Sequence, residues 1–218
     1  MARPSRPLLS QERIVATALA LVDAEGLDAV STRRLAAELG VSGPSLYNHV
    51  ATKTELLDAV VDAVLGEVDL SMFPGAGPSG AGWRPALEAW ARSYRAALAA
   101  HPKIVPALAQ SPGYRPNALR LADAVFGGLV EAGWPRREAT WVGALMRFFI
   151  IGSALGSFAG GFPADPDLYK GDYPHLGEAH LLAGRGRRVD EGAFEAGLKA
   201  LLDGLELQFA ALAASGRR

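Results

Sequence analysis

The side chains best equipped to bind a charged polymer are concentrated between residues 32 and 53. Small side chains there would allow close approach to nucleic-acid bases, and an asparagine can form two hydrogen bonds with adenine. Hydroxyl, imidazole and cationic side chains can bind phosphates or pack on sugars. The candidate contact residues are Thr32, Arg33, Ser42, Gly43, Pro44, Ser45, Tyr47, Asn48, His49, Thr52 and Lys53.

The elements that must position these residues form a helix-turn-helix pattern at residues 31–50, STRRLAAELGVSGPSLYNHV. Ser31 begins a short helix, Gly40 supplies the left-handed residue that ends it, and Ser42 caps a recognition helix of about three turns. The major groove of DNA admits such a helix, so its N-terminus and outer face could read bases. An ordinary helical hairpin with solvated polar residues is the alternative interpretation.

The overall charge does not indicate nucleic-acid binding, because 22 Lys and Arg are balanced by 23 Asp and Glu. The local balance is different. Between residues 31 and 53 the cations outnumber the single acidic residue, and they are Arg33, Arg34 and Lys53 against Glu38. A small basic surface suffices when dimerisation doubles the phosphate contacts.

The composition excludes several other classes of protein. With 218 residues, 50% hydrophobic content and no cysteine, the chain can bury a core but has no disulfide, zinc thiolate or cysteine nucleophile. Residues 1–9 lack the apolar segment of a signal peptide, which predicts a cytoplasmic location. Arg147 interrupts the most apolar stretch, residues 141–162, so that no membrane span is expected.

Apolar residues recur at helical spacing along nearly the whole chain, which predicts an all-α fold. Ser10, Ser31 and Thr52 are predicted N-caps, and Thr52 with Glu55 predicts a capping box. Glycines and prolines at residues 73–82 predict the boundary between an N-terminal domain at 10–68 and a C-terminal domain at 83–214.

Helices are predicted in both domains. The first helix is expected at residues 11–25, and the C-terminal domain is expected to have helices at 83–101, 104–109, 117–132, 136–158 and 190–214. A short helix is expected at 175–183, and loops are expected at 160–174 and 184–188.

Signals for catalysis and for metal or cofactor binding are weak. The histidines are His49, His101, His175 and His180, and no two of them have the three- or four-residue spacing of helical metal ligands. No phosphate loop or nucleophile elbow is present. We therefore expect no catalytic residue, no metal, no cofactor and no enzyme activity.

Aromatic and apolar residues of the C-terminal domain could line a pocket between bundle helices, although such residues also make an ordinary core. The candidate lining residues are Trp90, Tyr94, Trp141, Leu145, Phe148 and Phe149. Small residues between 152 and 160 would let two helices approach closely in a dimer, or they mark a bend.

Residues 13–65 resemble the DNA-binding domain of the TetR family, most closely in LAAELGVSGPSLYNHVATKTELLDAV at residues 35–60. Leu46-Tyr47, His49, Lys53 and Leu56-Leu57 are the most specific part of this resemblance. Residues 83–209 are similar, more loosely, to the ligand-binding domain of tetracycline-binding members. The resemblance implies an N-terminal three-helix helix-turn-helix domain and a C-terminal helical domain that binds a ligand and dimerises.

The same resemblance implies function and partners. A homodimer is expected to place two recognition helices in successive major grooves of a palindromic double-stranded operator, and a small hydrophobic effector is expected to release this repressor. The expected four-helix interface includes the helix ending near residue 158 and the final helix. Its candidate residues are Gly152, Gly156, Leu198, Leu201, Leu205 and Phe209.

The chain departs from the tetracycline-binding members at two drug-binding histidines. Asp69 and Leu108 occupy those positions, so magnesium-bound tetracycline is not the expected effector, although Leu108 remains a candidate lining residue. An alternative from another class is a small helical enzyme or carrier of a hydrophobic ligand, in which the N-terminal hairpin is incidental.

Overall fold

The computed structural model describes residues 9–73, 82–111, 113–171 and 173–215. Regular structure within these ranges is entirely helical, which confirms the predicted all-α fold. Most of the predicted boundary segment, residues 74–81, lies outside the described residues. The α-helices are α1 (Gln11–Glu25), α2 (Thr32–Leu39), α3 (Gly43–Tyr47), α4 (Lys53–Gly66), α5 (Trp83–Ala100), α6 (Val105–Gln110), α7 (Pro116–Glu131), α8 (Arg136–Ala154) and α9 (Gly186–Ser215).

The helix starts follow the predicted capping chemistry. Ser10 and Ser31 accept hydrogen bonds from the third residue after each of them, both at 3.2 Å. Thr52 accepts from the Glu55 N–H at 3.1 Å, and the Glu55 carboxylate accepts from the Ala51 N–H at 3.0 Å. These bonds satisfy N–H groups that have no partner inside their own helix.

The turn between α2 and α3 is as predicted, but the recognition helix is shorter. Gly40 has φ 66° and ψ 35°, the left-handed conformation that glycine adopts without a Cβ clash. Ser42 precedes α3, yet its side chain makes no capping hydrogen bond, contrary to expectation. Helix α3 spans 5 residues instead of about three turns, because the chain turns at Asn48 and His49 before α4.

Two helix boundaries near the C-terminus differ from the prediction. Helix α8 ends at Ala154, and the Phe158 N–H donates to the Asp190 carboxylate at 3.0 Å instead of to a helix carbonyl. The expected loop at 184–188 is absent, because Gly186 adopts helical angles of φ −46° and ψ −56° and begins α9. Residues 175–183 contain the 3₁₀ turn Ala179–Leu181 where a short helix was expected.

The described residues form two compact units. The first contains residues up to Val68 together with Ala96–Asp123, and the second contains Asp69–Arg95 and the residues from Ala124 onward. The first unit is therefore larger than the predicted domain at 10–68. None of the described helices is long and apolar enough to cross a membrane.

The first unit is closed by polar contacts to helix α4. The buried Asp62 carboxylate accepts hydrogen bonds from the Asn117 N–H at 3.3 Å and the Ala118 N–H at 3.0 Å, at the start of α7. Asp58 accepts from the Ser111 hydroxyl at 3.0 Å. A carboxylate at a helix N-terminus satisfies its free N–H groups and interacts favourably with the helix dipole. Helix α4 thus supplies a cap to a helix distant in sequence.

A histidine joins two other helices of this unit. His101 Nδ1 lies 2.8 Å from Asp23 Oδ2 of α1, and its Nε2 lies 3.3 Å from Glu67 Oε2 at the end of α4. The side chain is 15% exposed, so it fills space between the helices as well as forming hydrogen bonds.

The second unit is built around α5, α8 and α9. Trp83, Trp134 and Phe209 form a cluster with ring centroids 5.0–5.6 Å apart, which fixes the end of α9 against the start of α5. Ion pairs add to this contact: Arg84 binds Asp203 and Glu206, and Arg92 binds Glu195.

We predict that Asp62→Ala lowers the free energy of unfolding by about 1–3 kcal/mol, because it leaves partly buried N–H groups of α7 without an acceptor. Urea denaturation followed by circular dichroism measures this change. Asp123→Ala is the matched control, since Asp123 is an exposed aspartate on α7 itself. Equal stability of the two variants would contradict the assigned role of Asp62.

Candidate DNA-binding surface and ligand-binding unit

Four of the predicted contact residues line one groove of the first unit. Thr32 at the start of α2, Tyr47 at the end of α3, and Thr52 with Lys53 at the start of α4 surround a groove of about 280 Å³. Its lining also includes the apolar residues Ile14, Val30, Leu35, Leu46, Val50 and Leu56. The four polar residues therefore pack on apolar residues of the core, which hold their side chains in place.

Tyr47 links the two helices of the motif. Its side chain is 59% exposed, and its hydroxyl lies 3.5 Å from the Thr32 hydroxyl. A tyrosine this exposed contributes little to the core, but its ring and hydroxyl are available to a sugar or a phosphate.

The cations around the groove are not equivalent. Arg34 is already paired with Glu25 at 3.0 Å and Glu38 at 3.1 Å. Among the described residues, Arg33 and Lys53 have no acidic partner within ion-pair distance. These two charges therefore remain available to phosphates, in agreement with the choice of Arg33 over Arg34 as a contact residue.

The remaining predicted contact residues lie on and beside α3. Ser42 and Pro44 are exposed, whereas Gly43 and Ser45 are half-buried in the first turn. Asn48 and His49 are exposed but follow α3 instead of extending it. Ser42 to Ser45 thus lie at the start of α3, and Asn48 and His49 lie on the turn that leads to α4.

The predicted ligand-lining residues lie in both units and differ in burial. Trp90 and Tyr94 are each 1% exposed in the second unit, and Phe149 is half-buried. Leu108 is buried in the first unit. In contrast, the other three are exposed on α8: Trp141 (56%), Leu145 (41%) and Phe148 (69%).

Sequence reasoning missed three residues beside Trp90, Tyr94 and Phe149. Phe194 stacks on Phe149 with centroids 5.3 Å apart, and the Arg95 guanidinium lies 4.6 Å from the Phe194 ring centroid. Burial raises the pKa of Tyr94, and the charge and hydrogen bond of Arg147 partly oppose that rise. Arg147 was visible as the charge that interrupts an apolar stretch.

The predicted dimer residues fall into two groups. Gly152 and Gly156 are exposed. Leu198 (1% exposed) and Leu205 (5%) are buried inside the unit, and Leu201 and Phe209 are half-buried. Phe209 belongs to the cluster with Trp83 and Trp134. Leu198 and Leu205 are thus core residues of the protomer, which corrects their assignment to a subunit interface.

Comparison with known families explains this combination of motif and helical unit. The family model for bacterial regulatory proteins of the tetR family matches residues 14–60, and the model for the tetracyclin repressor-like C-terminal domain matches residues 76–209. The chain belongs to the TetR family. As a TetR-family protein it is a ligand-responsive, DNA-binding transcription regulator that acts as a dimer.

Individual TetR-family relatives match over much of the chain. An HTH-type transcriptional regulator of Saccharopolyspora erythraea is 37% identical, with 68% of this chain and 61% of that protein covered. The class A tetracycline repressor protein from transposon 1721 of Escherichia coli is 36% identical, with 90% of each chain covered. The Streptomyces coelicolor TetR family protein ActR in complex with actinorhodin has a TM-score of 0.74 at 31% identity, covering 93% of this chain and 99% of that one.

We predict that Tyr47→Ala and Lys53→Ala weaken operator binding without a change in melting temperature, because both side chains are exposed on the groove. Loss of the Lys53 contact should also reduce the slope of log affinity against log salt by about 1. Fluorescence anisotropy of a labelled duplex at several salt concentrations measures both effects.

The controls for these two variants are Tyr114→Ala and Lys170→Ala. Tyr114 is 64% exposed, similar to Tyr47, and the Lys170 side chain is 74% exposed in the second unit. If the groove variants bind the duplex as tightly as these controls, Tyr47 and Lys53 do not contact DNA.

Proposed function

We propose that this TetR-family regulator is a cytoplasmic repressor that binds a palindromic operator as a homodimer and leaves it when a small aromatic effector binds. One observation carries the DNA-binding part of this proposal. Thr32, Tyr47, Thr52 and Lys53 line a single groove on the motif, and Lys53 has no acidic partner among the described residues. Such a surface binds phosphates on either side of a recognition helix.

Selection of duplexes from a random pool by the purified protein tests this function. We expect a palindrome whose half-sites lie about one helical turn apart, with affinity that falls steeply as salt rises. Recovery of no preferred sequence, or affinity independent of salt, would contradict the proposal.

The dimer interface that the geometry supports uses exposed apolar residues of α8 and α9. On α8 they recur every three or four residues, and they are Trp141, Leu145, Phe148 and Gly152, with Leu155 directly after the helix. On α9 the exposed residues at helical spacing are Ala196, Ala200, Gly204 and Leu207. Two such helices from each protomer can form a four-helix interface, and small residues on α9 permit close approach.

The side chains of this surface are much more exposed to solvent than the side chains of the same helices that face the core. Phe148 is 69% exposed and Leu207 is 76% exposed, whereas Leu198 and Leu202 on α9 are each 1% exposed. Large exposed apolar side chains grouped on neighbouring positions are costly in water and are typical of a subunit interface. The interface that we propose therefore contains Leu207 instead of the sequence-predicted Leu198 and Leu205, and it still contains Gly152.

We predict that Phe148→Glu converts the dimer to monomers at micromolar concentration and lowers operator affinity at least about tenfold. A buried glutamate on each protomer would be desolvated without a partner, and a monomer binds only one half-site. Light scattering and duplex titration measure the two effects. Leu119→Glu is the control, because Leu119 is 53% exposed on α7 and lies outside both stripes. A dimeric Phe148→Glu variant would place the interface elsewhere.

An aromatic effector is supported by the interior of the second unit. Trp90 and Tyr94 have centroids 5.8 Å apart, and Phe149 stacks on Phe194. Aromatic side chains between bundle helices are suited to flat apolar ligands. A structural relative, ActR, has been solved with actinorhodin bound, which supports response to a small molecule here.

We predict that magnesium-bound tetracycline does not release this protein from its operator. Leu108 is a buried apolar residue with no lone pair for a metal or a drug, and the Asp69 carboxylate already accepts hydrogen bonds from Ser71. The measurement is a titration of the drug with magnesium against the protein–operator complex, with doxycycline as a second probe. Release at micromolar drug would overturn this interpretation.

A further inference from the structure

The interior of the second unit contains an excess of hydrogen-bond donors. Among its described residues, the buried side-chain polar atoms without a hydrogen-bond partner are Trp90 Nε1, Arg95 Nε and Trp134 Nε1. All three are N–H donors, and no buried side-chain acceptor of this part lacks a partner. Buried donors are normally satisfied, so each of these N–H groups can take an acceptor atom that the protein itself does not supply. Trp134 lies in the cluster with Trp83 and Phe209, whereas Trp90 and Arg95 lie beside the rings of Tyr94 and Phe194.

Some arginines of this unit likewise lack a negatively charged partner among the described residues. Arg84 and Arg92 are each held by two carboxylates, with Asp203 and Glu206 on Arg84 and with Glu88 and Glu195 on Arg92. Within the described ranges, Arg95 and Arg147 have no carboxylate at ion-pair distance. Hydrogen bonding by Arg92 and, to a smaller extent, the charge of Arg95 lower the pKa of Glu195, but the carboxylate oxygens of Glu195 already accept hydrogen bonds from Arg92.

These two arginines border aromatic rings from three helices. The Arg95 guanidinium lies over Phe194 of α9, which stacks on Phe149 of α8, while Arg147 of α8 acts on the Tyr94 hydroxyl of α5. Gly197 makes this packing possible, because a Cβ at that position would lie 2.8 Å from the Phe149 ring. Arg95 and Arg147 are half-buried, so their charges are partly desolvated yet reachable.

We propose that the effector is an aromatic anion, such as an aromatic carboxylate, whose charge is held by Arg147 and Arg95 and whose acceptor atoms reach the N–H of Trp90. The ligand-responsive function proposed above is the basis of this inference, which adds the chemical class of the effector. Charge-assisted hydrogen bonds from a guanidinium to a carboxylate are among the strongest in proteins. The flanking rings bind the flat apolar part of the same molecule.

The test compares a matched pair of probes on the full-length protein by isothermal titration calorimetry. Anthraquinone-2-carboxylate carries the anion, and anthraquinone-2-carboxamide has the same ring system without the charge. We expect the carboxylate to bind about tenfold or more tightly than the carboxamide. Arg147→Met should lower the carboxylate affinity towards that of the carboxamide and leave the carboxamide affinity unchanged, with Arg95 retaining part of the preference. Arg147→Lys should retain more of the preference than Arg147→Met.

Arg188→Met is the control for the loss of one positive charge, because Arg188 is exposed near the start of α9. This variant should keep the preference for the carboxylate. The wild-type comparison of the two probes is decisive even if Arg147→Met does not fold. Equal affinity for the two probes, or no carboxylate binding at about 1 mM, would overturn the inference. So would full carboxylate affinity in a folded Arg147→Met.

A parallel titration with the selected operator separates this inference from the proposed function. If the carboxylate binds through Arg147 but the duplex stays bound, the ligand class is correct and effector-induced release is wrong. If a neutral aromatic compound releases the duplex while the carboxylate has no advantage, release is correct and the anionic ligand class is wrong.

Discussion

The bond between the Asp62 carboxylate and the start of α7 is the contact on which the DNA-binding unit most depends. It connects α4, which begins with Thr52 and Lys53 of the groove, to a helix more than 50 residues later, since the Asn117 and Asp62 positions are 55 apart. A short helix-turn-helix has too little core to fix its own third and fourth helices. The groove keeps its shape because α4 is held at its N-terminus by the Thr52–Glu55 capping box and along its length by Asp58 and Asp62.

Local chemistry was predictable from the sequence, and contacts distant in sequence were not. Ser10, Ser31 and Thr52 act on N–H groups three residues away, so each cap is determined by a short stretch of chain. Gly40 likewise satisfies a purely local requirement for a left-handed residue. Asp62 gave no such signal, because an acidic residue within an apolar helical stripe normally faces solvent. The N–H groups that Asp62 binds come within reach only when the start of α7 packs against α4.

The differences between the predicted and observed burial of side chains in the second unit have a common cause. Helices α8 and α9 are apolar on more than one face, so helical spacing identifies stripes without showing which stripe the protomer buries. On α9 the stripe with Leu198 and Leu205 is core, while Leu207 is exposed. On α8 the difference runs the other way, since Trp141 and Phe148 were predicted to line a pocket and both are exposed. The packing of the helices of this unit against one another decides between the faces.

The excess of donors also bears on how an effector could shift a DNA-binding equilibrium. A ligand changes the equilibrium only through its different affinities for two conformations, and unpartnered buried N–H groups are a ready source of such a difference. Trp90, Tyr94 and Arg95 all lie on α5 within the second unit. Because a helix is stiff along its hydrogen-bonded axis, acceptors that draw Trp90 and Arg95 towards them act on one rigid element of the second unit.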